Sequence, residues 1–261
     1  MFKKIIPAVA VATLALAQNA FAQTNLQTFY DFGKDRGHFT TTLEGFYGDS
    51  WGNTFFFIDY DYNSKNADGK VFAPSGTYFE IARCLNFWQD SKLAPFSLHI
   101  EYNGGVYNGY TINNAFLTGI DYFLHSDDFK NTFNLKLLGK FINYNGAKDA
   151  DGNLRKSIVP LQFTFVWGMQ DIFGVEGLRF SGFADFWAES HNVITGYDNL
   201  GLPIWEDRSF VFISEPQVWY NVGKFINVPN LNVGCEVELS YDFATSAGFY
   251  ARPCLGTKWV F

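Results

Sequence analysis

The chain has 261 residues, of which 20% are aromatic and 17% are charged, and its formal net charge is −7 at pH 7. This negative charge argues against nucleic acid as a partner, because nucleic-acid-binding domains carry a basic surface. The 30 Phe, 14 Tyr and 24 Gly favour strands with aromatic girdles over a helical protein.

The first 22 residues resemble a secretory signal peptide. Lys3 and Lys4 form a basic start, residues 5–17 form an apolar core, and residues 20–22 (Ala-Phe-Ala) form a small-x-small cleavage site. We therefore expect cleavage after Ala22. Beyond that point no apolar run approaches the roughly 18 residues that a spanning helix requires. Any membrane span must then be built from strands that close into a barrel, since lipid offers no partner to an unpaired backbone group.

Strand-like segments recur about every twenty residues, each bounded by Gly, Asn, Asp or Pro clusters. The pattern predicts twelve strands, near 26–32, 38–48, 53–63, 76–88, 95–103, 113–125, 132–144, 157–168, 177–189, 207–220, 230–242 and 248–261. An even number lets both chain ends meet on the periplasmic side. The predicted fold class is all-β: a single twelve-stranded antiparallel transmembrane β-barrel of the outer membrane, covering residues 23–261.

The connections between these strands alternate in length. Starting from a periplasmic amino terminus, the short ones fall inside, at 49–52, 89–94, 126–131, 169–176 and 221–229. The outside connections are 33–37, 64–75, 104–112, 145–156, 190–206 and 243–247. Long outside loops and short inside turns are the asymmetry expected of such barrels. Loop 190–206 is predicted to be either a partner site or a constriction of the lumen.

The last strand shows the alternation of side chains most clearly. Leu255, Trp259 and Phe261 share one face, whereas Arg252 and Lys258 share the other. Lipid outside and a wet lumen inside account for this arrangement. The terminal Phe after an aromatic residue also resembles the sorting signal of bacterial outer-membrane barrels.

Applied to every strand, the same alternation places ionisable side chains inside. A Lys or Arg facing lipid near the midplane would cost about 2–4 kcal/mol. The predicted inward set is Glu44, Asp59, Asp61, Glu80, His99, Glu101, Asp121, Lys136, Lys140, Arg179, Asp185, Glu189, Glu215, Glu236, Glu238, Asp242, Arg252 and Lys258. Its excess of acids favours neutral or cationic solutes. Arg83 departs from the pattern, so either a bulge shifts its strand or it snorkels at a bilayer edge.

Aromatic rings alternate with the inward acids. Asp59 and Asp61 bring Phe55 and Phe57 inward. By the same parity the inward rings also include Phe183, Trp187 and Trp219. A nucleoside base stacks on a ring for about 1–3 kcal/mol, and carboxylates accept bonds from ribose hydroxyls. A sugar would use the same chemistry. Alternatively, the rings plug a small barrel and the acids pair with the inward Lys and Arg.

Several segments resemble the Tsx family, the nucleoside-specific channels of the outer membrane, and in particular an uncharacterised Tsx-like branch. The segments that carry this resemblance are Tyr30-Asp31-Phe32-Gly33, Thr42-Leu43-Glu44-Gly45-Phe46, Tyr78-Phe79-Glu80-Ile81 and Gly182-Phe183-Ala184-Asp185-Phe186-Trp187. The resemblance implies a monomeric twelve-stranded barrel with a narrow lumen that passes nucleosides by diffusion. The matching positions are Phe32, Glu44, Glu80, Phe183, Asp185 and Trp187. The chain departs from the family at Ile81-Ala82-Arg83, where the Arg is displaced, and in its shorter loops.

The predicted function is a passive, substrate-selective channel for nucleosides or similar small polar solutes, in the outer membrane and surrounded by its lipid. The candidate substrate-binding residues are Phe32, Glu44, Phe55, Phe57, Asp59, Asp61, Glu80, Lys140, Phe183, Asp185, Trp187, Glu215, Trp219, Arg252 and Lys258. We expect no catalytic residue, metal site or cofactor. Cys84, Cys235 and Cys254 are interpreted as small apolar fillers without a disulfide.

Three alternatives remain open. An outer-membrane hydrolase would need a Ser–His or Asp–His pair near the rim, but His38, His99, His125 and His191 are accompanied by no nucleophile motif. Calcium would use residues 59–63, which lack the Gly and the final Glu of a helix-loop-helix site, or residues 149–153, a pattern more typical of a plain turn. A structural barrel with a plugged lumen would show no conductance.

Overall fold

A computed structural model of the chain describes residues 23–33, 36–62, 73–108, 110–148 and 152–261. The predicted signal peptide lies outside these residues, as do Asp149 and Asp151 of the second possible calcium segment. None of the described residues belongs to a helix long and apolar enough to cross a membrane. The described residues form β-strands joined by turns and two single-turn 3-10 helices, Ile172–Gly174 and Gly223–Phe225.

The strands alternate in direction around a closed sheet. They are β1 (Gln23–Asp31), β2 (Phe39–Asp49), β3 (Gly52–Tyr62), β4 (Pro74–Leu85), β5 (Phe96–Tyr107), β6 (Tyr110–His125), β7 (Asn131–Asn143), β8 (Leu161–Gln170), β9 (Leu178–Trp187), β10 (His191–Tyr197), β11 (Pro203–Arg208), β12 (Val211–Ser214), β13 (Gln217–Tyr220), β14 (Leu231–Tyr241) and β15 (Phe249–Val260). Each strand from β1 to β8 pairs antiparallel with the next along the chain, whereas β10 and β11 lie outside the closed sheet. β15 pairs with both β14 and β1, which closes the barrel.

The predicted strand 207–220 is a single barrel strand with a break in it. β12 and β13 both pair with β9 on one side and with β14 on the other. The ladder stops at Glu215 and Pro216 because proline has no N–H to donate. Counted as one, β12 and β13 complete a barrel of twelve strands, which confirms the predicted fold class.

The two ends of the barrel differ in their connections. We call the end that carries Gln23 and Val260 the near end and the opposite end the far end. Near-end connections are short, as predicted, and β2 passes to β3 through Ser50 and Trp51 alone. The prediction of a far-end loop at 104–112 is wrong. A register shift between Asn103 and Gly105 absorbs one residue, so β5 and β6 stay paired up to Tyr107 and Tyr110.

The predicted loop 190–206 contains regular structure. β10 and β11 form a hairpin at the far end that is a separate two-stranded sheet. The N–H of Ile194 donates to Thr245 O at 2.8 Å, and Val193 is fully buried. His191 Nε2 bonds to the carbonyl oxygen of Asp242 at 2.5 Å. These contacts attach the hairpin to the connection between β14 and β15, so the hairpin is packed on the far end of the barrel.

The exterior of the barrel is an apolar belt. Large hydrophobic side chains project outward from almost every strand, including Leu26, Leu43, Ile58, Ile81, Ile100, Phe116, Ile120, Leu137, Phe163, Val233, Leu255 and Trp259, each exposed by 37% or more. On the alternate positions polar side chains are buried inside. This is the inverse of a soluble sheet protein and the pattern of a barrel in lipid.

Arg83 lies on the outer face at the near end. The β3–β4 register is unshifted at this point, so no bulge turns the side chain inward. Its guanidinium bonds to Asp49 Oδ1 at 2.7 Å and to Thr54 Oγ1 at 3.0 Å. Of the two interpretations of this residue, the position at the edge of the apolar belt is the one that the structure shows.

Substitution of Leu137 by arginine should destabilise the folded barrel by about 2–4 kcal/mol, because the cation would face hydrocarbon near the middle of β7. The measurement is the free energy of unfolding in urea for protein folded into phospholipid vesicles. Leu200→Arg is the matched control, since Leu200 is 84% exposed in the turn between β10 and β11. Equal losses in the two variants would contradict the assignment of the outer face to lipid.

Candidate solute pathway

Four carboxylates face one another across the middle of the lumen. We call Asp59, Glu80, Glu215 and Glu236 the acid cluster. β3 and β4 supply Asp59 and Glu80, whereas Glu215 and Glu236 come from the opposite wall. Glu215 lies close enough to Asp59 and Glu80 for their charges to interact, and Glu236 likewise interacts with Asp59. All four are partly exposed, so water reaches them inside the barrel.

Hydrogen bonds from neighbouring side chains fix the orientation of three of these carboxylates. Thr42 Oγ1 donates to Asp59 Oδ1 at 2.5 Å, and Gln217 Nε2 donates to Glu236 Oε2 at 2.5 Å. The hydroxyl of Tyr78 donates to Glu80 Oε1 at 2.6 Å. Each of these bonds engages one oxygen of the carboxylate. The arrangement preorganises acceptors for a solute that carries hydroxyl, amino or cationic groups.

Three more predicted acids surround the cluster. Asn25 Nδ2 donates to Glu44 Oε1 at 2.8 Å, and Thr40 Oγ1 donates to Asp61 Oδ1 at 2.5 Å. Asp185 is directly opposite Thr164 in the β8–β9 register, and its Oδ1 has no hydrogen-bond partner among the described residues. A buried oxygen without a hydrogen-bond partner costs free energy, and the folded barrel keeps this cost at Asp185.

The predicted cations do not line the passage as free charges. Lys140 Nζ lies 3.5 Å from the ring centroid of Trp187, and Lys258 Nζ lies 4.3 Å from that of Trp219. Arg252 forms an ion pair with Glu238 and donates to Ser240 Oγ at 3.2 Å. Ion pairs and cation–π contacts therefore occupy these three cations.

Trp187 and Trp219, two of the candidate substrate-binding residues, are packed against neighbouring side chains. Trp187 is 7% exposed and Trp219 is 1% exposed. Each has a lysine over its ring, and Trp219 also contacts Phe29 at 5.5 Å between centroids. Their indole N–H groups donate to Glu189 at 2.7 Å and to Gln217 at 2.8 Å, respectively. These rings support the wall and position Lys140 and Lys258.

The phenyl rings of Phe55, Phe57 and Phe183 are accessible. All three face the lumen and are partly exposed. Phe57 is the cross-strand partner of Glu80 and lies 5.8 Å from the ring of Tyr78. Phe183 accepts the backbone N–H of Glu215 at its carbonyl, at 3.1 Å. One ring on each wall therefore borders the acid cluster.

Phe32 is the one candidate that the structure places outside the lumen. β1 ends at Asp31, and the ring of Phe32 is 53% exposed against Tyr30, at 4.8 Å between centroids. Tyr30 and Phe32 share the outward parity of the strand. The structure therefore does not place Phe32 in contact with a solute in the lumen.

Packed side chains narrow the passage on two sides. Leu117 and Leu138 point inward from β6 and β7 and are each 1% exposed. On the other side Gln27, Trp219 and Lys258 are buried together near β1 and β15. The acid cluster and its phenyl rings lie between these packed regions.

The structure bears on two of the alternative sites, the first calcium segment and the hydrolase. Asp59 and Asp61 lie within a regular strand and bond to threonines, whereas a calcium loop folds its carboxylates around the ion. The side-chain contacts of His99, His125 and His191 are with a carboxylate, a thiol or backbone carbonyls, and His38 Nε2 is 4.0 Å from Asp61 Oδ1. Among the described residues these hydrogen bonds form no Ser–His pair.

Cys84 lies in a polar cluster, although the sequence predicted that it is a small apolar filler. Cys84 Sγ lies 3.4 Å from His99 Nδ1 and 3.2 Å from Asp121 Oδ2. Parity alone places Cys84 on the same face as Glu80. The pairing registers of β4, β5 and β6 are needed to bring the three side chains together, and the sequence does not show them. All three cysteines of the chain are free.

Comparisons with known proteins identify one family and several solved structures that are similar to this chain. The family described as Domain of unknown function (DUF5020) matches residues 18–261. The structure is similar to the NanC porin, with a TM-score of 0.53 at 8% identity over 90% of this chain and 98% of that chain. The KdgM porin in complex with disordered oligogalacturonate has a TM-score of 0.46 at 9% identity, over 92% of this chain and 99% of that chain. The outer membrane protein OpdK from Pseudomonas aeruginosa has a TM-score of 0.39 at 8% identity, over 92% of this chain and 98% of that chain. The first similarity supports the fold alone. No curated protein matches the sequence.

Proposed function

We propose that this chain, which belongs to the family described as Domain of unknown function (DUF5020), is a passive, substrate-selective channel for nucleosides or similar small polar solutes. The observation that carries the proposal is the acid cluster with Phe57 and Phe183 on facing walls of a closed barrel. An apolar exterior suits this barrel to lipid. Export after cleavage at Ala22 and residence in the outer membrane as a monomer are parts of the same proposal.

The charge of the lumen favours neutral and cationic solutes. Inward acids outnumber inward bases, and Lys140, Arg252 and Lys258 are engaged with rings or with an acid. A narrow lumen with low-dielectric walls focuses the field of the remaining carboxylates. An anionic solute would therefore meet a barrier at the acid cluster that a neutral or cationic one does not.

The rings and acids together suit a molecule with one flat apolar face and several hydroxyl groups. A base can stack on Phe57 or Phe183, and ribose hydroxyls can donate to carboxylates of the acid cluster. The resemblance to the Tsx family points to the same solute. A hexose would find the same acceptors but gains less from a flat ring, which gives a basis for discrimination.

The function is tested with purified protein in planar bilayers and in liposomes. We expect a cation-preferring conductance that millimolar nucleosides block, and swelling rates that decrease from nucleosides to hexoses of similar size. Heat-denatured protein is the control for leakage. Equal rates for nucleosides and hexoses would contradict the nucleoside specificity. Absence of any conductance would contradict the channel itself and indicate a plugged structural barrel.

A further inference from the structure

Cys84, His99 and Asp121 meet on three adjacent strands in the near-end half of the lumen. Cys84 and His99 are directly opposite in the β4–β5 register. Asp121 comes from β6, two residues beyond Gly119, the partner of His99. The side chains are buried, with exposures of 4%, 0% and 2%. The channel proposed above uses none of the three, because the acid cluster and the accessible rings lie elsewhere in the lumen.

The distances within this group suit a metal ion. One ligand atom from each residue lies within 4.8 Å of the other two. The thiol sulfur is 3.4 Å from His99 Nδ1 and 3.2 Å from Asp121 Oδ2. Zinc bonds of about 2.3 Å to sulfur and about 2.0–2.2 Å to nitrogen and oxygen separate tetrahedral ligand atoms by roughly 3.5 Å. Small side-chain shifts therefore convert the cluster into a coordination shell.

Neighbouring residues already orient two of the ligands. His99 Nε2 is 2.8 Å from Glu101 Oε2, so a proton on Nε2 leaves the Nδ1 lone pair directed at the cluster. Asn134 Nδ2 donates to both oxygens of Asp121 at 2.9 Å. A carboxylate behind a ligating histidine is the usual support of a zinc site, because it fixes the ring and raises its basicity.

We propose that Cys84, His99 and Asp121 bind one zinc ion, with water from the lumen as the fourth ligand. On binding, the Cys84 thiol releases its proton to solvent, so the thiolate and the Asp121 carboxylate neutralise the charge of the ion. The charges of Lys136, the cross-strand partner of Asp121, and of Glu101 then offset each other. A sulfur, nitrogen and oxygen donor set of this kind favours zinc over calcium or magnesium.

A nucleophilic thiol would be a different use of the same residues. Cys84 contacts His99, and His99 in turn contacts Glu101, so the three residues could act as a nucleophilic thiol, a base and an acid that orients the base. A reaction would require a substrate carbonyl to reach the sulfur, which is enclosed with its residue only 4% exposed. A zinc ion and a water molecule are far smaller than such a substrate and need only a narrow path from the lumen, and the bound ion would tie β4, β5 and β6 together at the near end.

The test is metal loading of the full chain folded in detergent, stripped with a chelator and dialysed against zinc or cobalt. We expect about one zinc ion per chain, and cobalt-loaded protein with an absorption band for thiolate-to-cobalt charge transfer and the intense visible bands of a tetrahedral site. Cys84→Ala and His99→Gln should lose both signals. Cys254→Ala, a buried inward cysteine, and Cys235→Ala should keep them.

Folding of each variant is checked by its heat-dependent mobility on a gel. Glu101→Gln keeps all three ligands and should weaken zinc affinity about 10–100-fold, which tests the site even where a ligand variant fails to fold. Wild-type protein that binds no zinc, a cobalt spectrum without the thiolate band, or unchanged affinity in Cys84→Ala would overturn the proposal. None of these results depends on solute transport, so the channel and the zinc site fail or succeed separately.

Discussion

Replacing Glu80 and Glu215 together by glutamine should remove most of the preference of the channel for cations. The two carboxylates lie on opposite walls and interact across the lumen, so a permeating ion passes between them. One unit charge acts on an ion a few Å away by about 1–4 kcal/mol between the limits of bulk water and a protein surface. Since 1.4 kcal/mol is a tenfold ratio, the double variant should lower the cation-to-anion permeability ratio about tenfold or more.

The reversal potential in a potassium chloride gradient measures this ratio directly. The effect should shrink at high salt, where screening shortens the reach of each charge. Glu176→Gln and Glu206→Gln are matched controls, because both side chains are exposed outside the lumen, in the β8–β9 connection and on β11. If the controls shift the reversal potential as much as the double variant, net charge rather than the acid cluster determines selectivity.

The strands and their inward faces were predictable because a barrel in lipid gives the two faces of each strand opposite requirements. Asp59 shows this clearly. Its charge fixes the parity of β3, and Phe55 and Phe57 then have to face the lumen, as they do in the structure. The outward position of Arg83 has the same cause. A cation on the outer face is tolerated only at the edge of the apolar belt, where Arg83 pairs with Asp49.

Contacts between strands were not predictable in the same way. Parity places Trp187 and Lys140 in the lumen, but only the tilt and register of the strands bring the ammonium group over the indole. The same holds for Trp219 with Lys258, and for Cys84 with His99. The exposure of a ring, and therefore its availability to a solute, depends on these pairings.

Turn signals misled the prediction where local backbone geometry decided the outcome. Gly104 and Gly105 indicate a loop, yet a bulge lets β5 continue to Tyr107. The segment 191–208 has the glycine and asparagine content of a loop, yet it pairs with itself and docks on Thr245 and Ser246. Phe32, by contrast, was named as a solute contact through the family resemblance, whereas β1 ends one residue earlier and the ring lies on the outer face.

Phe57→Ala and Phe183→Ala should each weaken block of the channel by nucleosides. Removing the stacking partner of a base costs about 1–3 kcal/mol. That loss corresponds to a roughly 5- to 150-fold higher nucleoside concentration for half-maximal block. The measurement is the titration of single-channel current with adenosine and with ribose. Block by ribose, which has no base to stack, should change little in either variant.

Phe56→Ala separates stacking from damage to the barrel. Phe56 neighbours Phe57 on β3 but faces outward, where its ring packs against Tyr47 at 6.2 Å between centroids. It therefore controls for the loss of a phenyl ring from the same strand.

Trp219→Phe provides a second comparison, since that indole is packed under Lys258 and should not contact a solute. A nucleoside block that survives Phe57→Ala and Phe183→Ala combined, but is lost in Trp219→Phe, would move the binding site to the packed wall. In that case the solute would have to pass beside β13 and β15, and Trp219 would have to be exposed there rather than buried as in the structure.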